Sequence, residues 1–219
     1  MIVEQLYTKC LAEAAYYIES KGEAVVIDPM RETQQYIDIA KNNGATIKYI
    51  FETHFHADFV SGHLDLASAT NAQIVYGPTA TADYEFHQAK DKEEFVLGDL
   101  LVKALHTPGH TLESTCFLLL APNYKPHAIF TGDTLFVGDV GRPDLAANDN
   151  LNIDDLAGLL YDSLNKYILT LPDSVLVFPG HGPGSQCGKN LSSETATTIG
   201  TQRRNNYALK QPDKESFIA

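Results

Sequence analysis

Short apolar runs alternate with polar, glycine-marked breaks along the whole chain. Residues 2–7 and 14–19 read as strands, and Lys21-Gly22 marks a turn. GEAVVIDP (22–29) follows as a buried strand that Pro29 ends. Residues 31–43 place Tyr36, Ile37 and Ala40 on one face of a helix, and Asn43-Gly44 stops it. TIKYIFET (46–53) is a further apolar strand. The pattern then predicts a helix over 61–70, a strand over 72–77 and a hairpin over 93–107 around Gly98-Asp99. Strands over 114–121 and 127–133 come next. Leu156, Leu159, Leu160, Leu164 and Ile168 recur at helical spacing, 174–182 reads as the last clear strand, and 191–209 as a helix. Many strands with helices in both halves predict a mixed α/β fold of stacked sheets covered by helices. There is no repeat and no linker-like stretch, so one domain over 1–219 is expected.

Composition narrows the class. The 219 residues suffice for one large domain, and 44% hydrophobic with 20% charged residues is a globular mixture. A net charge of -12 without any basic run excludes nucleic acid and anionic membranes as natural partners. It leaves room for an anionic small substrate, because a metal and a few local cations set the field inside a pocket. Cys10, Cys116 and Cys187 are too few and too scattered for a disulfide framework or a zinc ribbon. No basic start leads into an apolar run, and no window approaches the roughly 18 apolar residues of a membrane span. A cytoplasmic address is expected.

The histidines carry the chemistry. Thr53-His54-Phe55-His56-Ala57-Asp58-Phe59, His106-Thr107-Pro108-Gly109-His110-Thr111, Phe130-Thr131-Gly132-Asp133-Thr134 and Phe178-Pro179-Gly180-His181-Gly182 each follow a strand. Each thus offers ligands from a strand-end loop over a rigid sheet, where catalytic groups are commonly held. Imidazole and carboxylate suit zinc, iron or manganese, and two His with one carboxylate leave positions open for substrate. The remaining His and Asp would orient those ligands through hydrogen bonds. His87 and His127 have no motif around them and read as ordinary packing residues, and His63 as a packing or supporting residue.

These residues resemble the metallo-β-lactamase superfamily. Its HxHxDH motif stands here as His54-Phe55-His56-Ala57-Asp58-Phe59, followed in order by His110, Asp133 and His181. The resemblance implies a four-layer αββα sandwich with the metal at one edge of two sheets. Phe59 replaces the last histidine of the motif, which in dinuclear members helps hold a second metal, so a mononuclear centre is expected. THFHADFVSGHLDLA (53–67), LHTPGHTLEST (105–115), FTGDTLFVGDVGRPDL (130–145) and GHGPGSQCGKNLS (180–192) are similar to the persulfide dioxygenases, in particular the bacterial branch often fused to rhodanese domains.

That similarity implies one iron(II) per chain held by His54, His110 and Asp133, with zinc as the alternative. His56, Asp58 and His181 would then support catalysis around it. The reaction implied joins a low-molecular-weight thiol persulfide, O₂ and water to give thiol and sulfite. A rhodanese-type sulfurtransferase is the expected partner, fused or separate. Cys187 is a candidate catalytic thiol that accepts or relays sulfur, its thiolate favoured by Lys189, or else a small buried residue in a glycine-rich turn. Cys116 reads as core and Cys10 as incidental. Arg142 is expected to pair with Asp144 or Asp139, or else to face the site, while Lys189, Arg203, Arg204 and Tyr207 are candidates for gripping the carrier. The apolar loop Leu135-Phe136-Val137 suggests a homodimer. The alternative activity is thioester hydrolysis, as in glyoxalase II, which shares His54, His56, His110, Asp133 and His181 but carries histidine where Phe59 stands.

Overall fold

The computed structural model describes residues 1–147, 151–183, 185, 187 and 193–219. Among them the strands are β1 (Ile2–Thr8), β2 (Glu13–Ser20), β3 (Glu23–Ile27), β4 (Thr46–Phe51), β5 (Gln73–Tyr76), β6 (His87–Gln88), β7 (Glu94–Leu97), β8 (Leu100–His106), β9 (Thr115–Leu120), β10 (Pro126–Gly132), β11 (Leu176–Pro179) and β12 (Thr197–Thr198). The α-helices are α1 (Gln34–Asn43), α2 (His63–Thr70), α3 (Ile153–Ser163), α4 (Ile199–Asn205) and α5 (Lys214–Ile218). The strands form two six-stranded sheets, in the order β1-β2-β3-β4-β5-β6 and β12-β11-β10-β9-β8-β7.

Three apolar clusters show why the layers stack as they do. Alternate residues of β2, β3, β8, β9 and β10, among them Tyr16, Ile18, Val25, Ile27, Val102, Phe117 and Phe130, meet between the sheets. The opposite faces of β2 to β5 pack Tyr17, Val26, Ile50 and Ile74 against Tyr36 and Ala40 of α1 and Leu66 of α2. On the far side Cys116, Leu118, Ile129 and Val177 bury Leu160, Leu164 and Ile168. A strand whose two faces both meet apolar layers is apolar through its middle, and β2, buried at all eight positions, runs apolar from Ala14 to Ile18. The result is the αββα sandwich that the sequence resemblance implies.

The elements largely follow the sequence pattern, and the main differences lie in the second half of the chain. The expected helix over 191–209 is divided: β12 adds to the edge of the second sheet, and α4 occupies only Ile199–Asn205. Thr198 accepts from the Thr201 N–H as a cap, and Asn206 turns extended where its side chain donates to the Asp139 carbonyl at 2.9 Å. Residues 191 and 192 of that expected helix lie outside the described residues. The long amphipathic helix ends at Ser163 and passes into a π-turn over Leu164–Ile168, which keeps its apolar stripe on the sheet. Leu135, Phe136 and Val137 are 0%, 0% and 6% exposed, so they offer no face to a second copy. The Thr131 hydroxyl donates to the Leu135 carbonyl at 2.7 Å and the Phe136 N–H to the Asp139 carbonyl at 3.0 Å, folding this loop inward. No helix among the described residues is long and apolar enough to cross a membrane.

Candidate metal centre

Loops after β4, β8, β10 and β11 deliver His54, His110, Asp133 and His181 to one edge of the sandwich. Backbone bonds tie these loops together across the sheets. The Thr115 N–H donates to the Thr53 carbonyl at 2.8 Å, Gly180 to Gly132 at 2.9 Å and Ala14 to Gly180 at 2.8 Å. The Phe55 N–H donates to the Glu113 carboxylate at 3.0 Å. Gly132 lies at φ +47°, and a Cβ there would stand 2.4 Å from Thr53 Oγ1. Only glycine lets β10 pass this close to the loop after β4.

Hydrogen bonds fix which ring nitrogens carry protons. Thr53 Oγ1 donates its proton to Asp28 Oδ2 at 2.8 Å, so toward His54 Nδ1, 3.0 Å away, it can only accept. His110 Nδ1 lies 2.9 Å from the Arg142 carbonyl, which accepts only, so it too must donate. Both rings therefore turn a bare Nε2 lone pair inward. These atoms stand 3.9 Å (His54) and 3.4 Å (His110) from Asp133 Oδ2, a buried oxygen that makes no hydrogen bond. Three lone-pair donors facing one another in buried space repel, and a cation among them reverses the sign. The residues therefore fit a metal ion, in the two-histidine, one-carboxylate arrangement that leaves positions open. Electrostatics agrees. Burial, and then the His56 charge, push the His54 pKa well below the usual imidazole value. Burial would raise Asp133, but His181, then His54 and His110, hold it well below the carboxylate range.

His181 and Asp58 complete this side. His181 Nδ1 lies 2.7 Å from Asp133 Oδ1, and Nε2 lies 2.7 Å from Asp58 Oδ2. A third carboxylate, Glu13 Oε2, also stands 2.7 Å from Nε2. Burial would lower the His181 pKa, but Asp133, then Asp58 and Glu13, raise it strongly. Glu13 is fully buried and burial pushes it up to about 7. Its only sequence signal is a lone acid among alanines in an apolar strand. Cys187 joins Asp58 and His181 in a second group whose ligand atoms lie within 4.8 Å of one another. Burial, and then the Asp133 charge, push the Cys187 thiol up to about 12, against the expected thiolate. Lys189, expected to favour that thiolate, lies outside the described residues.

His56 departs from its expected place. It makes no hydrogen bond to His54, His110 or Asp133. Its Nε2 faces Asp28 Oδ1 at 3.1 Å and Glu52 Oε2 at 3.7 Å, on the other side of the loop. The Phe59 ring lies 4.3 Å from the His56 ring and packs with the α1 and α2 layer, a site apolar enough to explain phenylalanine there. Arg142 pairs with Asp144, its Nε donating at 2.6 Å. The Tyr207 hydroxyl donates to Asp139 Oδ1 at 2.7 Å. Arg203 bonds Asp173 and the carbonyls of Leu169 and Leu171, and Arg204 Nη1 lies 3.8 Å from Asp173, so both cations tie α4 to its neighbouring turn. His87 pairs with Glu93 at 2.7 Å, Cys116 is buried in the core and Cys10 is exposed. A cavity of about 540 Å³ lies behind the Arg142 loop, walled by Leu160, Tyr207 and Phe217, and none of the candidate metal-binding residues lines it.

Comparison with known proteins agrees with this geometry. The chain is 34% identical over 160 residues to a probable hydroxyacylglutathione hydrolase of Schizosaccharomyces pombe, covering 71% of this chain and 57% of that one. It therefore spans little more than half the length of that relative. The crystal structure of a metallo-beta-lactamase from Staphylococcus aureus superposes with a TM-score of 0.89 at 36% identity, over 100% of this chain and 66% of the other. ETHE1 from Myxococcus xanthus gives 0.83 at 32% identity, over 100% and 88%. The family model described as the metallo-beta-lactamase superfamily matches residues 8–181. With residues 8–181 matched, this chain is a member of the metallo-beta-lactamase superfamily.

Proposed function

We propose that the chain is a persulfide dioxygenase. A low-molecular-weight thiol persulfide, O₂ and water would give the thiol, sulfite and two protons at one iron(II) held by His54, His110 and Asp133. The observation that carries this reading is the orientation of His56. With His56 turned toward Asp28 and Glu52, and Phe59 lacking a lone pair, His54, His110 and Asp133 are the three residues that would hold the ion. Similarity to ETHE1 supports it. Bound there, the metal would supply adjacent open positions and the electrons that activate O₂.

The chain's own residues hold and move protons. His181 donates to Asp133 Oδ1 and so keeps Oδ2 pointed at its two histidine partners. Asp58, with a side chain 38% exposed, links His181 to solvent and offers an exit for the protons released. A rhodanese-type sulfurtransferase supplying the persulfide belongs to the same proposal.

Thioester hydrolysis is the second reading. The curated relative named hydroxyacylglutathione hydrolase favours it on sequence, and the group Asp58, His181 and Cys187 could seat the additional ion that such a reading calls for. One experiment separates the two. Iron-loaded protein is given glutathione persulfide while O₂ uptake and sulfite are followed, and in parallel a hydroxyacylglutathione thioester. Stoichiometric O₂ loss and sulfite, abolished in His110→Ala, is the expected result. Thioester cleavage without O₂ uptake would overturn the dioxygenase in favour of the hydrolase.

A further inference from the structure

A second constellation of ligand-type side chains lies behind the first. Asp28 ends the run after β3, Glu52 directly follows β4, and His56 comes from the same loop as His54. One oxygen or nitrogen from each lies within 4.8 Å of the others. Asp28 and Glu52 are 1% and 0% exposed, and the His56 side chain 2%.

Each ligand is held from behind. The Thr53 N–H and hydroxyl donate to the two Asp28 oxygens at 2.7 and 2.8 Å. The Ser61 hydroxyl donates to Glu52 Oε1 at 2.7 Å. Such outer hydrogen bonds are what orient carboxylates that bind metals. The inward atoms are left over. Glu52 Oε2 and both His56 nitrogens are buried and make no hydrogen bond. His56 Nε2 is only 3.1 Å from Asp28 Oδ1, yet the N–H direction misses the oxygen. His63 stands alongside with Nδ1 3.7 Å from Glu52 Oε1, and neither of its nitrogens has a partner. Its side chain is 12% exposed and forms the side of the cluster nearest solvent.

Metal–ligand distances near 2.0–2.2 Å put neighbouring ligand atoms roughly 3–3.5 Å apart. The 3.1 Å separation falls within that spacing and the 3.7 Å one lies just beyond it. Two carboxylates bring the charge that a divalent cation cancels. Mixed oxygen and imidazole donors select zinc, manganese or iron, not calcium, which wants six or more oxygens.

We propose that Asp28, Glu52 and His56, with His63 beside them, form a second, buried divalent-cation site that is structural and separate from the His54–His110–Asp133 centre. The inference is independent of the reaction assigned to that centre.

Zinc binding tests it. Crystals of the wild-type protein grown with zinc should show two anomalous peaks, one at His54, His110 and Asp133 and one between Asp28 Oδ1, Glu52 Oε2 and His56 Nε2. Equilibrium dialysis should find two zinc ions per chain, falling to one in Glu52→Gln and to one in His110→Ala. A single peak at the first centre, or a second peak at Asp58, His181 and Cys187, overturns the proposal, as does a Glu52→Gln protein that keeps the second ion. Should Glu52→Gln fail to fold, the wild-type map decides alone.

Discussion

His54 and His56 stand two residues apart on one loop, and their rings lie 4.2 Å apart between centroids, yet their surroundings act in opposite senses. Burial and the neighbouring charge drive His54 far below its usual pKa, which leaves a neutral ring with a bare nitrogen. Burial would lower His56 too, but the Asp28 carboxylate, then Glu13 and Glu52, carry it up to about 10. With no ion between the carboxylates, the same side chain is thus a ready ligand on one side of the loop and a cation on the other. What differs is the nearest polar neighbour. His54 meets a hydroxyl that has already given away its proton, whereas His56 meets carboxylates directly. Ligand character is therefore set by what stands behind the ring.

This contrast can be broken at three points and checked against one remote control. The largest effect is expected at the open centre. His110→Ala removes one of three ligands and should weaken metal binding by more than the roughly 10–100-fold that outer-partner changes cost. Competition with a chromophoric chelator measures it, and unchanged affinity would remove His110 from the centre. Next comes the closed side. Asp28→Ala in metal-free protein leaves a buried imidazolium without its main counter-charge, at a cost of about 3–5 kcal/mol. Urea unfolding of metal-free wild type and variant reads that difference, and a loss below about 1 kcal/mol would show that His56 is not held as a cation.

Thr53 joins the two regions, and Thr53→Val removes its hydroxyl while keeping its shape. His54 then loses the acceptor that fixes its tautomer, and metal affinity should fall about 10–100-fold. Isothermal titration gives the value. An unchanged affinity would mean that the tautomer is set elsewhere.

The smallest effect belongs to a control remote from both regions. Burial would raise the Asp91 pKa, but the Tyr167 hydroxyl, the His106 N–H and Lys166 together lower it. A lowered folded-state value contributes stability above the unfolded value of about 3.9, lost as pH falls through the folded value. Asp91 is largely solvated, so the gain over Asp91→Asn at pH 7 should be at most about 1 kcal/mol. It should shrink below about pH 4 in paired urea titrations, and a gap that grows in acid would reverse the sign.

Much of the centre was legible in the chain. His54, His110, Asp133 and His181 each follow an apolar strand, the last three beside a glycine and His54 two positions from another histidine, and the two-sheet architecture came with the same motifs. Other parts were not legible, for physical reasons. Glu13 matters because β2 runs beside the loop of His181, a pairing across 168 residues of chain that no local pattern reports. Asp28 and Glu52 carry no local signal, and only the parallel pairing of β3 with β4 brings the two strand ends together. The direction of His56 is a rotamer choice, and spacing fixes only its loop. The tail over Lys214–Ile218 forms a helix too short for periodicity to signal.

The origin of the three ligands has a mechanical consequence. His54 hangs from the first sheet, whereas His110 and Asp133 hang from the second. An ion bound to all three is a clasp across the seam of the sandwich, closing a long loop of chain that would otherwise be free to open. Parting the sheets and releasing the metal then become one event, so the lifetime of the folded chain is tied to the off-rate of its ion.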